Sequence, residues 1–143
     1  GAFLEYATVH GHYYGTLQQE VTDWILQGTD VLLDIDTQGA KEIRSKTEAS
    51  WLKRKTAFVF IAPPSLEDLE ERLRARGTDT EDVIARRLEN ARRELTAWRH
   101  YDYVILNDSL DEAVENLTSV FMAARCRTES YETPPWGQDY ADA

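Results

Sequence analysis

Cysteine is almost absent from this sequence. Cys126 stands alone, so an internal disulfide framework is excluded and a reducing compartment is expected. Long apolar runs are missing as well: none approaches the length that crosses a bilayer, and no charged-then-apolar leader is expected. Basic residues are scarce, with 16 Lys and Arg against 26 Asp and Glu, a formal net charge of -10. That balance argues against a general nucleic-acid coat protein, although local arginines could still hold a phosphate-bearing small molecule. Three histidines and one cysteine form no structural zinc pattern. His10 and His12 flank Gly11, but two histidines without a third ligand nearby are a weak metal signal. No G-x-x-x-x-G-K-[ST] occurs; Gly11 and Gly15 are too close together and no lysine follows Gly15. A nucleophile elbow and a catalytic Cys/His pairing are also missing.

What remains is a single domain's worth of chain, 143 residues, with 42% hydrophobic and 29% charged residues, ordinary for a soluble globular protein. Phe3–Val9 reads as a strand, followed by a turn at Gly11 and a shorter extended piece at Tyr13–Tyr14. Thr16 is expected to open a helix, with Gln19 completing a capping box and Leu17, Val21, Trp24 and Ile25 forming the apolar stripe. Gly28 is its expected stop. Residues 30–35 (DVLLDI), 57–62 (AFVFIA) and 103–106 (YVIL) read as three buried strands. A helix is expected over 38–46, then a charged loop carrying Trp51. Ser65 caps a helix whose Leu66, Leu69 and Leu73 share a face, and Gly77 ends it. Residues 78–81 supply the next start signal, and Ile84, Leu88, Ala91 and Leu95 fall on one side. A last helix over 110–125 is expected to turn Leu110, Val114, Leu117, Phe121 and Ala124 inward. The tail, residues 129–143, holds four acids, no Lys or Arg, and reads as a loose acidic extension. Short apolar strands alternating with amphipathic helices predict an α/β fold: a parallel sheet flanked by helices, with ligands at the carboxyl ends of the strands.

Several polar groups stand out against that frame. Glu5 could accept two N–H bonds from a planar donor such as a guanine edge, or could face outward on a half-exposed strand. Asp34 and Asp36, two apart in an expected strand, could hold a nucleobase or a water on Mg²⁺, or could be an ordinary polar strand end. Eight arginines lie between Arg72 and Arg99, interleaved with nine acids from Glu67 to Glu94. Arginine suits bidentate phosphate binding, but the same pattern describes a solvated helical face laced with i,i+4 ion pairs. The Tyr13–Tyr14 pair fits simple packing.

The ordered blocks FLEYATVHGHYYGT, DVLLDIDTQGA, FVFIAPPS, ERLRARGTDT-EDVIARRL and YDYVILNDSLDEA resemble the guanylate kinase family. They run in family order from Phe3 to about Arg125. The resemblance implies a P-loop NTPase-like parallel sheet, part of a small mixed β GMP-binding domain and a helical lid. It implies ATP:GMP phosphotransfer with Mg²⁺ carried by ATP, in the cytoplasm, with no nucleic acid or membrane partner. Residues 1–28 would belong to the GMP-binding domain, 29–71 to the core, and 72–98 to the lid and its following helix. Residues 99–125 would return to the core, and 126–143 form the tail. By the same resemblance Glu5, Thr16 and Asp34 serve the guanine, Tyr14 the GMP phosphate, and Asp36 the neighbourhood of metal and phosphates. Arg72, Arg76 and Arg87 gather around the phosphates, and Asn107 makes an adenine-side contact; no protein metal ligand is implied.

Three departures accompany the resemblance. The family carries a further amino-terminal part with its first strand, phosphate cradle and more of the GMP site. The 143 residues are therefore expected to be inactive alone, and to be unstable or to oligomerise through unpaired strand edges. His12 stands where the family has Asn in GNYYG, which bears on the turn. Residues 41–55 are longer than is common and read as a surface loop insertion. The rival reading is a guanylate-kinase-like module that binds phosphorylated peptides without catalysis; the presence of Arg72, Arg76, Arg87, Asp34 and Asp36 argues against it.

Overall fold

A computed structural model describes residues 2–9, 12–131 and 133–136. Two compact units divide the chain, residues 1–54 and 55–143.

The first unit begins with an antiparallel hairpin of β1 (Phe3–Val9) and β2 (His12–Leu17). The expected turn at Gly11 lies outside the described residues. Tyr6 pairs with Gly15, and a Cβ on Gly15 would stand 2.8 Å from the Glu5 carbonyl oxygen, so only glycine permits this approach of the strands. The register shifts between Phe3 and Glu5, a bulge that breaks strict alternation. Both Leu4 and Glu5 are consequently buried, though they are neighbours in a strand. A two-stranded hairpin is marginal alone. Here α2 (Thr37–Thr47) lies against β1, and Leu4, Ala40 and Ile43 are the buried apolar side chains of the pair. Polar ties join the same elements: Lys46 Nζ donates to the Phe3 carbonyl (2.9 Å) and to Glu42 Oε1 (2.6 Å). The lysine holds the Glu42 carboxyl below its usual range.

Several expectations are corrected in this unit. Thr16 does not open a helix. It belongs to β2, and α1 runs Gln18–Leu26 with Leu17 at its N-cap and no side-chain cap bond. Thr16's hydroxyl is drawn off by the carboxylate of Glu5, directly across the ladder. The α1 stripe is mostly exposed: Val21 is buried, whereas Leu17 and Trp24 are not. Gly28 does terminate the region, with φ 79° and its N–H on the Ile25 carbonyl. Residues 30–35 form no strand, and Leu32 is 70% exposed, because no neighbouring backbone pairs with the run among the described residues. Residues 41–55 are not a loop: they carry most of α2 and a short helix α3 (Leu52–Lys55), whose Leu52 is buried.

In the second unit β3 (Val59–Ala62) and β4 (Tyr103–Leu106) pair in parallel. Asp102 fastens the start of this pair, accepting from Phe58 N–H (2.8 Å) while its own N–H donates to the Phe58 carbonyl. Ser65 caps α4 (Leu66–Ala75), accepting from Asp68 N–H at 3.0 Å, and Gly77 (φ 65°) ends it. Helix α5 (Glu81–Glu94) folds back on α4, burying Leu73, Ile84 and Leu88 with Leu69 against them. A 3-10 turn, Leu95–His100, leads to β4, and α6 (Leu110–Arg125) follows with Ser109 as cap.

The apolar strands are not buried throughout. Ile61, Val104 and Leu106 are exposed while Phe60, Ala62 and Ile105 are covered. On α6 the expected inward face is half wrong: Ala113 is buried, but Leu110, Val114 and Phe121 are exposed. Periodicity identifies such a face without supplying its cover, and the packing of α6 against β4 covers only part of this one.

Candidate functional site

The predicted residues fall into separate groups, each within its own unit. In residues 1–54 the centre is Glu5, a carboxylate only 8% exposed. Burying it costs free energy unless partners replace water. Thr16 supplies one: its hydroxyl donates to Glu5 Oε1 at 2.6 Å across the non-local pair Glu5↔Thr16. The bulge turns the carboxylate toward the first turn of α2, where Oε2 lies 3.5 Å from the position a Cβ on Gly39 would take. The outward-facing alternative for Glu5 is therefore overturned.

Asp36 stands at the same turn. It is the N-cap of α2, with Oδ1 accepting from Gly39 N–H at 2.8 Å. Asp34 and Asp36 are both exposed and not in a strand, so the shared-face argument drawn from strand periodicity does not apply to them. Tyr14 lies in β2 opposite Ala7, its side chain 60% exposed.

In residues 55–143 Arg72, Arg76 and Asn107 converge. They line a cavity of about 500 Å³ together with Ala75, Asp108 and Leu110. Asn107 is set at the end of β4 by its N–H on the Ala62 carbonyl (2.8 Å). Its own carbonyl accepts from Arg72 Nη1 at 2.7 Å, and the Asp108 carbonyl accepts from Nη2 at 3.2 Å. The guanidinium thus ties α4 to the loop between β4 and α6, a role absent from the sequence reading. Arg76 is exposed at the C-cap of α4. Arg87 is not part of this group. It lies on α5, 3.2 Å from Asp79 Oδ2, beside a second cavity of about 370 Å³ lined by Phe60, Pro63 and Leu69 among others.

The ion-pair reading of the arginines holds for other members of the run. Arg74 joins Glu70 and Glu81 across the Gly77 turn, and Arg92 and Arg93 flank Glu89. The guanidinium holds Glu81 below the usual carboxylate range, and the two acids raise Arg74. Among the described residues no group of three His, Cys, Asp or Glu could cage a metal. The exposed carboxylates of Asp34 and Asp36, the latter with Oδ1 already on Gly39 N–H, could give a cation one or two oxygens, which suits Mg²⁺ only where phosphates supply the rest. No helix among the described residues is long and apolar enough to cross a membrane.

In the second unit a parallel strand pair with Arg72, Arg76 and Asn107 gathered beyond the end of β4 follows the rule that α/β folds hold ligands at the carboxyl ends of their strands. The crystal structure of guanylate kinase from Anaplasma phagocytophilum is similar at a TM-score of 0.70 and 29% identity, covering 90% of this chain and 59% of that one. The guanylate kinase family model matches residues 1–124. Guanylate kinase of Syntrophotalea carbinolica is 49% identical over 127 residues, 89% of this chain and 58% of the relative. That of Xanthomonas oryzae pv. oryzae is 44% identical over 132 residues, 92% of this chain and 62% of the relative. The chain belongs to the guanylate kinase family. It spans about three fifths of the length of these curated relatives.

Proposed function

We propose that the protein carrying this chain transfers a phosphoryl group from ATP to GMP. The observation that carries the reading is the buried Glu5 carboxylate, held by Thr16 and turned toward the start of α2. A carboxylate with one oxygen fixed can accept the paired N1–H and N2–H donors of guanine, which adenine lacks in that arrangement. Thr16 acts beside it at the base and Asp34 on the guanine side; Tyr14 donates its hydroxyl to the GMP phosphate. Asp36 stands near the phosphates, with one oxygen committed to capping α2.

In the reaction an oxygen of the GMP phosphate attacks the γ-phosphorus of ATP. The bond from that phosphorus to the β,γ-bridging oxygen breaks, and ADP leaves as GDP forms. Such transfer needs alignment, charge neutralisation and water exclusion more than covalent help. Arg72, Arg76 and Arg87 neutralise phosphate charge, and Asn107 makes the adenine-side contact beside Arg72. Mg²⁺ bound with ATP supplies further neutralisation on the phosphates. In this reading residues 1–28 are GMP-binding domain, 29–71 core, 72–98 the lid and its following helix, 99–125 core and 126–143 tail. The location is cytoplasmic, the isolated chain is either unstable or stabilised by oligomerisation, and neither nucleic acid nor membrane is a partner.

The test has two parts. The 143-residue chain, whose sequence has no phosphate cradle, is expected to bind GMP in calorimetry and to form no GDP from GMP and MgATP. Absence of GMP binding would sink the reading of Glu5, and GDP formation would sink the requirement for the cradle. Tight binding of a phosphoserine peptide that GMP fails to displace would favour a non-catalytic phosphopeptide module instead.

A further inference from the structure

Four glycines have defined surroundings among the described residues, and three explain themselves. Gly28 and Gly77 adopt positive φ, which L side chains rarely tolerate. At Gly15 a Cβ would meet the Glu5 carbonyl oxygen at 2.8 Å and Phe3 Cδ1 at 3.0 Å. Gly39 is different. It lies inside the first turn of α2 without positive φ, and a Cβ there would find only ordinary contacts. Asp36 Oδ1 would be 3.4 Å away, Glu5 Oε2 3.5 Å and Ile35 Cβ 3.5 Å. Alanine would fit and would make a better helix. The capping bond from Gly39 N–H to Asp36 needs no glycine either, since any residue but proline donates there.

Backbone conformation and packing within this chain therefore leave Gly39 unexplained, while its missing methyl faces a buried carboxylate oxygen. We propose that Gly39 is a specificity-determining residue: the absence of its side chain keeps Glu5 Oε2 open to the two-donor edge of the purine. Thr16 occupies Oε1, so Oε2 is the oxygen on which a ligand's N–H group depends most. A methyl at position 39 sits against that oxygen, shields it from an incoming donor and narrows the in-plane approach of a flat base. The effect is on recognition of the base edge and not on the fold. This inference rests on the proposed reading of Glu5 as the guanine acceptor, and it deepens that reading by adding a residue from α2 to the base site.

The test compares the 143-residue chain with its Gly39→Ala variant. Thermal unfolding by circular dichroism is paired with calorimetric binding of GMP and of inosine monophosphate, which lacks the exocyclic amino donor. The expected result is a melting temperature equal to or above that of the unaltered chain. GMP affinity should fall by roughly tenfold or more, the scale of one lost charged hydrogen bond, while the preference for GMP over inosine monophosphate shrinks. Unchanged GMP affinity and selectivity in the variant would overturn the inference while leaving the Glu5 reading intact. A melting temperature lowered by many degrees would also overturn it, by assigning Gly39 to packing. No GMP binding by the unaltered chain would overturn the Glu5 reading itself, and the ligand named here with it.

Discussion

Replacing Thr16 by valine tests how the buried Glu5 carboxylate is held. Valine keeps the branched shape and the strand preference of threonine but has no hydroxyl. Glu5 Oε1 would lose its 2.6 Å donor while the residue stays only 8% exposed, so water cannot freely take the donor's place. A hydrogen bond to a charged group is worth about 1.5–3 kcal/mol net, and the variant should be destabilised by about that amount. Urea unfolding followed by circular dichroism measures it as a lower midpoint at unaltered slope. The same change made on a Glu5→Gln background provides the control. There the bond is between neutral groups, and its loss should cost only about 0.5–1.5 kcal/mol. The difference between the two backgrounds is the share owed to the carboxylate charge. If Thr16→Val unfolds within about 0.5 kcal/mol of the unaltered chain, the hydroxyl is not holding Glu5, and the argument from burial fails with it.

Other parts of the fold make their own demands. Leu73→Ala opens a hole in the Leu73–Ile84–Leu88 cluster and should cost about 2–5 kcal/mol in the same unfolding assay, with α4 and α5 losing amide-exchange protection together. Arg72→Ala removes both bonds to the Asn107 and Asp108 carbonyls; faster amide exchange in residues 107–110 is expected, and unchanged exchange would refute the tie. Because Arg74 holds Glu81 below its ordinary value of 4.5, this pair contributes at neutral pH and is lost as pH falls below that value through the folded-state titration. An NMR titration of Glu81 should therefore move its midpoint back toward 4.5 in Arg74→Gln, whereas identical midpoints would show that the contact does not persist in solution.

Elements announced by their own local chemistry were legible in the chain. The stop at Gly28, the cap at Ser65, the stop at Gly77 and the limits of the last helix, Leu110–Arg125, match residue by residue. Each depends on neighbours within a turn or two of the backbone. Elements that depend on distant partners were not legible. DVLLDI has the composition of a central strand, but a strand exists only where another backbone pairs with it, and none does among the described residues. The stripe on α6 likewise predicts a buried face, while Leu110, Val114 and Phe121 remain exposed where nothing covers them. Thr16 departs from its local signal for the opposite reason. Its spacing to Gln19 satisfies a capping box, but a buried carboxylate across the hairpin competes for the same hydroxyl and wins.

The surroundings of Glu5 were half legible for a reason that joins these cases. Glu5 was identifiable as an acid in an apolar run, yet strict alternation would have set it on the face opposite Leu4. The bulge between Phe3 and Glu5 removes that constraint and buries both. A one-residue irregularity leaves no mark in composition or periodicity, so only the paired register reveals it. Gly39 did leave a mark: a glycine inside a helical stretch is costly unless something requires it. That requirement becomes visible only when Glu5 Oε2 is found facing the missing methyl of a residue 34 positions further along the chain, backbone register and helix placement having first to be set correctly. The two residues thus define each other. Glu5 explains why the helix tolerates a glycine at position 39, and Gly39 explains why a carboxylate buried at the start of α2 still has an oxygen to offer.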